Sequence, residues 1–142
     1  MEKMLNILIV EDEFISRLML KELLSQFGTC KIATNGREAV DVLHESYRDP
    51  EGKFDLVCLD IMMPEMDGHE VLKEIRNIER RNGLKGEEIT KVMMVTALDD
   101  ARNIMEAFVF GGCQAYLTKP VSKGRLEEQL FHMRLIDKLP SA

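Results

Sequence analysis

The sequence predicts an α/β fold built on one doubly wound parallel sheet, and three observations predict it. Five short apolar runs alternate along the chain with five segments of helical periodicity. The runs at 5–10 and 54–59 are apolar almost throughout rather than alternating, the pattern of strands covered on both faces. A helix between successive strands carries the chain back to the same edge of the sheet, so neighbouring strands run parallel.

Taken in order, Leu5-Asn6-Ile7-Leu8-Ile9-Val10 is the first strand and ends in Glu11-Asp12-Glu13. Phe14, Ile15, Leu18, Leu23, Leu24 and Phe27 then recur at intervals near three and four, with Arg17, Lys21 and Glu22 between them. That spacing predicts an amphipathic helix with those apolar residues inward, stopped by Gly28. Residues 31–33 form a short second strand, and Asn35-Gly36 turns the chain into a helix carrying Ala39, Val40, Leu43 and Tyr47. Asp49-Pro50-Glu51-Gly52 ends it. The third strand, 54–59, reaches Asp60 and breaks into the loop Met62-Met63-Pro64, after which Asp67-Gly68 starts a helix with Val71, Leu72, Ile75 and Ile78 on one face. The polar, Gly-spaced stretch 80–88 reads as a surface loop. A fourth strand, 91–96, ends in the Thr96 hydroxyl, and Asp99-Asp100 caps a helix with Ile104, Met105 and Phe108 inward before Gly111-Gly112. Residues 114–117 make the fifth strand. After Thr118-Lys119-Pro120 a last helix places Leu126, Leu130, Met133 and Ile136 inward and ends near Asp137.

Length and composition bound the function. A chain of 142 residues, 45% apolar and 31% charged, is expected to be one domain over 1–142 with its core at about 4–137 and no output domain. No apolar run approaches a membrane span, and the first residues run straight into acids without a cleavage site, which predicts a cytoplasmic protein with no membrane insertion. The net charge of −6 supplies no basic stripe and argues against direct nucleic-acid binding. Cys30, Cys58 and Cys113 are an odd, widely spaced set in apolar contexts, read as reduced thiols. His44, His69 and His132 pair with none of them at ligand spacing, so no zinc site is expected.

In a parallel sheet of this kind ligands gather beyond the carboxyl ends of the strands. Glu11, Asp12, Asp60, Thr96 and Lys119 all fall there. Three carboxylates converging on one crevice repel one another unless a cation sits among them, and Mg²⁺, or Mn²⁺ in its place, suits two direct carboxylates with a backbone carbonyl of the Asp60 loop. Such a site is fitted to a phosphoryl group, whose transfer asks mainly for in-line positioning and charge neutralisation. Asp60, at the tip of the most apolar strand, is the candidate nucleophile for an aspartyl phosphate, with Glu11 and Asp12 better placed to hold metal.

Glu11-Asp12, Asp60 with Met63-Pro64 and Asp67-Gly68, Thr96-Ala97, and Tyr116 with Lys119-Pro120 stand in this order at these strand ends. In them the chain resembles the response-regulator receiver domains of two-component signalling, from about Leu5 to Leu135. The resemblance implies a flavodoxin-like strand order 2-1-3-4-5 and a stand-alone, chemotaxis-regulator-like switch rather than an enzyme on other substrates. By the same resemblance, Asp60 accepts a phosphoryl group from a sensor histidine kinase or a histidine phosphotransfer protein. Mg²⁺ lies between Asp12, Asp60 and the Met62 carbonyl, with Glu11 reaching it through water, since Glu stands where Asp is usual. Lys119 binds a phosphoryl oxygen, Thr96 moves to bond another, and Tyr116 turns inward, which alters binding of a downstream protein or formation of a homodimer. Two other readings stand beside it. An aspartyl-phosphate hydrolase needs a second acid two residues after its nucleophile, where this chain has Met62; a phosphorylation-independent interaction module is expected to have lost Asp60, Lys119 or the acidic pair, and none is lost.

Overall fold

The computed structural model describes residues 3–139, so Met1, Glu2 and the last three positions of the expected 1–142 domain lie outside the described residues. Five parallel strands lie in the order β2-β1-β3-β4-β5: β1 Leu5–Val10, β2 Gly28–Ala33, β3 Leu56–Leu59, β4 Lys91–Thr96 and β5 Ala115–Thr118. Between and after them come α1 Phe14–Leu24, α2 Gly36–Ser46, α3 Gly68–Arg81, α4 Ala101–Met105 and α5 Lys123–His132. The predicted order 2-1-3-4-5 with five helices is the order found. Among the described residues no helix is long and apolar enough to cross a membrane.

Successive strand residues point to opposite faces, and the core divides accordingly. Ile7, Ile9, Leu56, Cys58, Met93 and Val95 pack with Leu20 and Leu24 of α1 and Leu126 and Leu130 of α5. Leu8, Val10, Val57, Leu59, Val92 and Met94 pack on the other face with Ala39 and Leu43 of α2 and with Val71, Leu72, Ile75 and Ile78 of α3. Every residue of β3 is fully buried, as its unbroken apolar run requires.

Several boundaries and faces differ from the sequence reading. The second strand begins at Gly28, pairing Leu5 with Gly28, so Gly28 opens a strand rather than merely stopping a helix. In α1, Phe14, Ile15 and Leu18 are 61%, 56% and 52% exposed, and the buried stripe is Leu20 and Leu24 with Leu23 half-buried. The inward face of α4 is corrected more fully. The helix is five residues long and passes at Glu106 into a π-helical segment, Glu106–Phe110, in which Ala107 alone is buried; Met105 and Phe108 are exposed and Ile104 is half-buried. Regular α5 stops at His132, although Met133 and Ile136 remain in the core. The 80–88 stretch carries one 3-10 turn, Gly86–Glu88. Cys58 and Cys113 are buried free thiols and Cys30 is a half-buried one.

Candidate functional site

Register assembles the site. Val10 pairs with Leu59, so the residues that follow, Glu11 and Asp60, leave the sheet side by side. The Asp60 N–H still donates to the Val10 carbonyl at 3.1 Å, which carries the pairing one step beyond the ladder. On the far side Thr96 pairs with Thr118, and the Lys119 N–H donates to the Thr96 carbonyl at 2.8 Å, holding Lys119 at the same rim. The Lys119–Pro120 peptide is cis.

Glycine at 68 lets α3 start against the loop that follows β3. A Cβ there would run into the carbonyl oxygen of Asp60, and the Gly68 N–H donates to the Ile61 carbonyl at 3.0 Å. Asp67 caps the helix by accepting from the Glu70 N–H at 3.0 Å, while Glu70 reaches back to the Asp67 N–H.

The side chains meet as their positions dictate. Lys119 Nζ donates to Asp60 Oδ2 at 3.0 Å and also bonds the Glu11 carboxylate, so one ammonium joins two buried acids. The Met62 N–H donates to the other Asp60 oxygen at 3.2 Å, and the Glu13 N–H to Glu11 Oε2 at 3.1 Å. Glu11, exposed Asp12 and Asp60 each offer a carboxylate oxygen within 4.8 Å of the others. Burial pushes the Glu11 carboxyl above its usual range, against the pull of Lys119 and the Glu13 N–H. Burial also works against the Lys119 cation, but its bonds to Glu11 and Asp60 prevail and hold its proton more tightly than usual.

These residues fit a divalent cation. The donors are hard oxygens, and three carboxyl groups against one ammonium leave a formal excess of two negative charges in a crevice where Glu11 and Asp60 are buried and Asp12 is exposed.

Thr96 is fully buried, and its Oγ1 accepts from the Leu98 N–H at 3.4 Å. Tyr116 is half-buried; its hydroxyl donates to the Leu98 carbonyl at 2.7 Å, and its ring lies 6.4 Å from that of Phe108. Leu98 thus links the two candidate switch residues through its own peptide groups, a role invisible in sequence because any side chain supplies the same N–H and C=O. The structure places Glu11, Asp12, Asp60, Thr96 and Lys119 at the strand ends, while Tyr116 stands within β5, paired with Met94, and reaches Leu98 through its hydroxyl. Sequence reasoning could point to Leu98 only as an apolar neighbour of the site and missed the bonds of its backbone, and it passed over His69, which adjoins the Asp67-Gly68 turn.

The model of the response regulator receiver domain matches residues 7–131. The chain is 35% identical over 127 residues to the chemotaxis protein CheY of Thermotoga maritima, covering 88% of this chain and 93% of that one. Among solved structures it is similar to one combining the Saccharomyces cerevisiae histidine phosphotransfer signalling protein Ypd1 with the receiver domain of its downstream response regulator Ssk1. There the TM-score is 0.77 at 29% identity, over 96% of this chain and 94% of the matched chain. It is also similar to the receiver domain of the Arabidopsis thaliana histidine kinase CKI1 complexed with Mg²⁺ and BeF₃⁻, with TM-score 0.73 at 26% identity, covering 94% and 91%.

Proposed function

This chain belongs to the response regulator receiver domains, the signalling switches of two-component systems, and from that premise we propose that Asp60 is its phosphoacceptor. The observation carrying the proposal is the Lys119 ammonium held between Asp60 and Glu11 beside Asp12. One Asp60 carboxylate oxygen attacks phosphorus through a lone pair not used in its hydrogen bond, a P–O bond forms as the donor's P–N bond breaks, and the electron pair of that bond leaves with the donor imidazole. The donor is a phosphohistidine, on a sensor kinase or on a phosphotransfer protein of the kind seen with Ssk1. Asp12 and Asp60, with the Met62 carbonyl, would hold Mg²⁺, and Glu11 would contact it through water. When bound, the ion neutralises charge on the phosphoryl oxygens.

Lys119 then exchanges a bond to Asp60 for one to a phosphoryl oxygen, keeping its charge within the site. Thr96 gives up the Leu98 N–H to donate to another phosphoryl oxygen, which loosens the residue whose carbonyl accepts from Tyr116. Tyr116 follows inward, away from Phe108. The face so altered is read by a downstream protein, and the chain modifies no substrate but itself.

Incubation with acetyl phosphate and Mg²⁺ tests this. Wild type is expected to gain one acid-stable, hydroxylamine-labile phosphoryl group on Asp60, Asp60→Asn to gain none there, and Lys119→Met to be labelled while failing to shift Tyr116. Labelling of Asp60→Asn equal to wild type would overturn the assignment.

A further inference from the structure

Outside the acidic rim, His69 occupies a position that the proposed phosphotransfer does not use. It lies in the first turn of α3, directly after Gly68, with its side chain 12% exposed. Its Nε2 is 2.9 Å from Asn103 Oδ1, and its Nδ1 is 3.3 Å from a carboxylate oxygen of Glu106. The Asn103 amide cannot turn over without cost, because its Nδ2 donates to both Asp100 oxygens at 2.8 and 3.1 Å. Reversing it would set oxygen against carboxylate. An acceptor therefore faces each ring nitrogen. A neutral imidazole has one N–H and satisfies one of them; an imidazolium has two and satisfies both.

The two partners straddle a weak point. Asn103 lies in α4, and Glu106 is the first residue of the π-helical segment. Single π turns are rare and recur at functional sites. From α3 and its N-cap the charged side chains Asp67, Glu70 and Lys73 line the same cleft, and from the other side Glu106, with Asp100 behind Asn103. Glu106 is 44% exposed, so its carboxylate can turn to water when the ring no longer offers it a proton.

We propose that His69 is a proton-operated latch, tying α3 to both sides of the α4–π junction when protonated and releasing Glu106 when neutral. The latch belongs to the protein without a phosphoryl group, so its test is independent of the assignment of Asp60. Nuclear magnetic resonance on the full chain across pH 5.5–8.5, the range in which histidines as a class change charge, follows the His69 ring separately from His44 and His132. The amide of Glu106 donates to the Arg102 and Asn103 carbonyls, and that of Gly111 to the Glu106 carbonyl, so both report on the segment.

The expected result is that both amides share the midpoint of the His69 ring. Their exchange protection, corrected for the intrinsic pH effect, should fall roughly two- to fivefold on the alkaline side, the range of a partly exposed ion pair. In His69→Gln, and equally in Glu106→Gln, whose surface position makes folding secure, protection should no longer follow that midpoint. Ring titration with no matching change at Glu106 and Gly111, or an unchanged pH dependence in Glu106→Gln, would overturn the latch.

Discussion

Tyr116 shows how much of this molecule's behaviour lies in single groups. Burial, with Asp100, Cys113, Asp60 and Asp99 nearby, pushes its phenol up to about 12. A folded-state value above the unfolded one, about 10 for tyrosine, means the neutral hydroxyl's contribution to stability is complete below that pH. The contribution is lost as pH rises toward 12. Difference absorbance of the folded protein is therefore expected to show well under half of its tyrosinate signal at pH 10, since Tyr47 is also raised by burial. Tyr116→Phe should remove the later part of the rise, and a half-complete transition at pH 10 in wild type contradicts the buried hydroxyl. At this scale Asp60, Thr96 and Lys119 were legible in sequence because each is the last or next residue of a strand. The backbone role of Leu98 and the contacts of His69 were not, because they depend on which groups happen to stand opposite them in the fold.

At the scale of elements, periodicity located helices well and oriented them less well. Apolar residues cover more than one stripe of α1, and the spacing could not say that the sheet meets Leu20 and Leu24 rather than Phe14, Ile15 and Leu18. In α4 an inserted π turn breaks the 100° step on which any helical-face argument depends. The loop after α3 read as polar and Gly-spaced, yet it is tied at its end. Glu79, 2% exposed, accepts from Arg76 at 2.7 Å and from the Thr90 N–H at 2.7 Å, and Arg76 also donates to the Thr90 and Gly112 carbonyls. Removing one member leaves a buried charge unpaired. Glu79→Ala is expected to cost about 3–5 kcal/mol, read as a lower urea midpoint at unchanged slope. The double variant Arg76→Met, Glu79→Leu should cost less than the single one; the reverse order would show that the ion pair itself supplies net stability.

Over the whole molecule, the uncompensated carboxylates at the rim add to a net charge of −6, so a cation bound there should stabilise the fold as well as serve chemistry. At a hundredfold excess over its dissociation constant Mg²⁺ is expected to add about 2.7 kcal/mol. Calorimetry in Mg²⁺ against chelator, with sodium chloride matching ionic strength, checks this. Asp12→Asn should lose most of the gain, and an equal rise in sodium alone would assign it to screening. The global fold was legible because unbroken apolar strands admit few arrangements besides a sheet covered on both sides. That covering has its own consequence. Ile9 and Val10 are neighbours in sequence, yet they belong to different packed layers. The sheet therefore acts as a partition, and a disturbance among the α1 and α5 contacts reaches the α2 and α3 layer only by displacing the backbone between them.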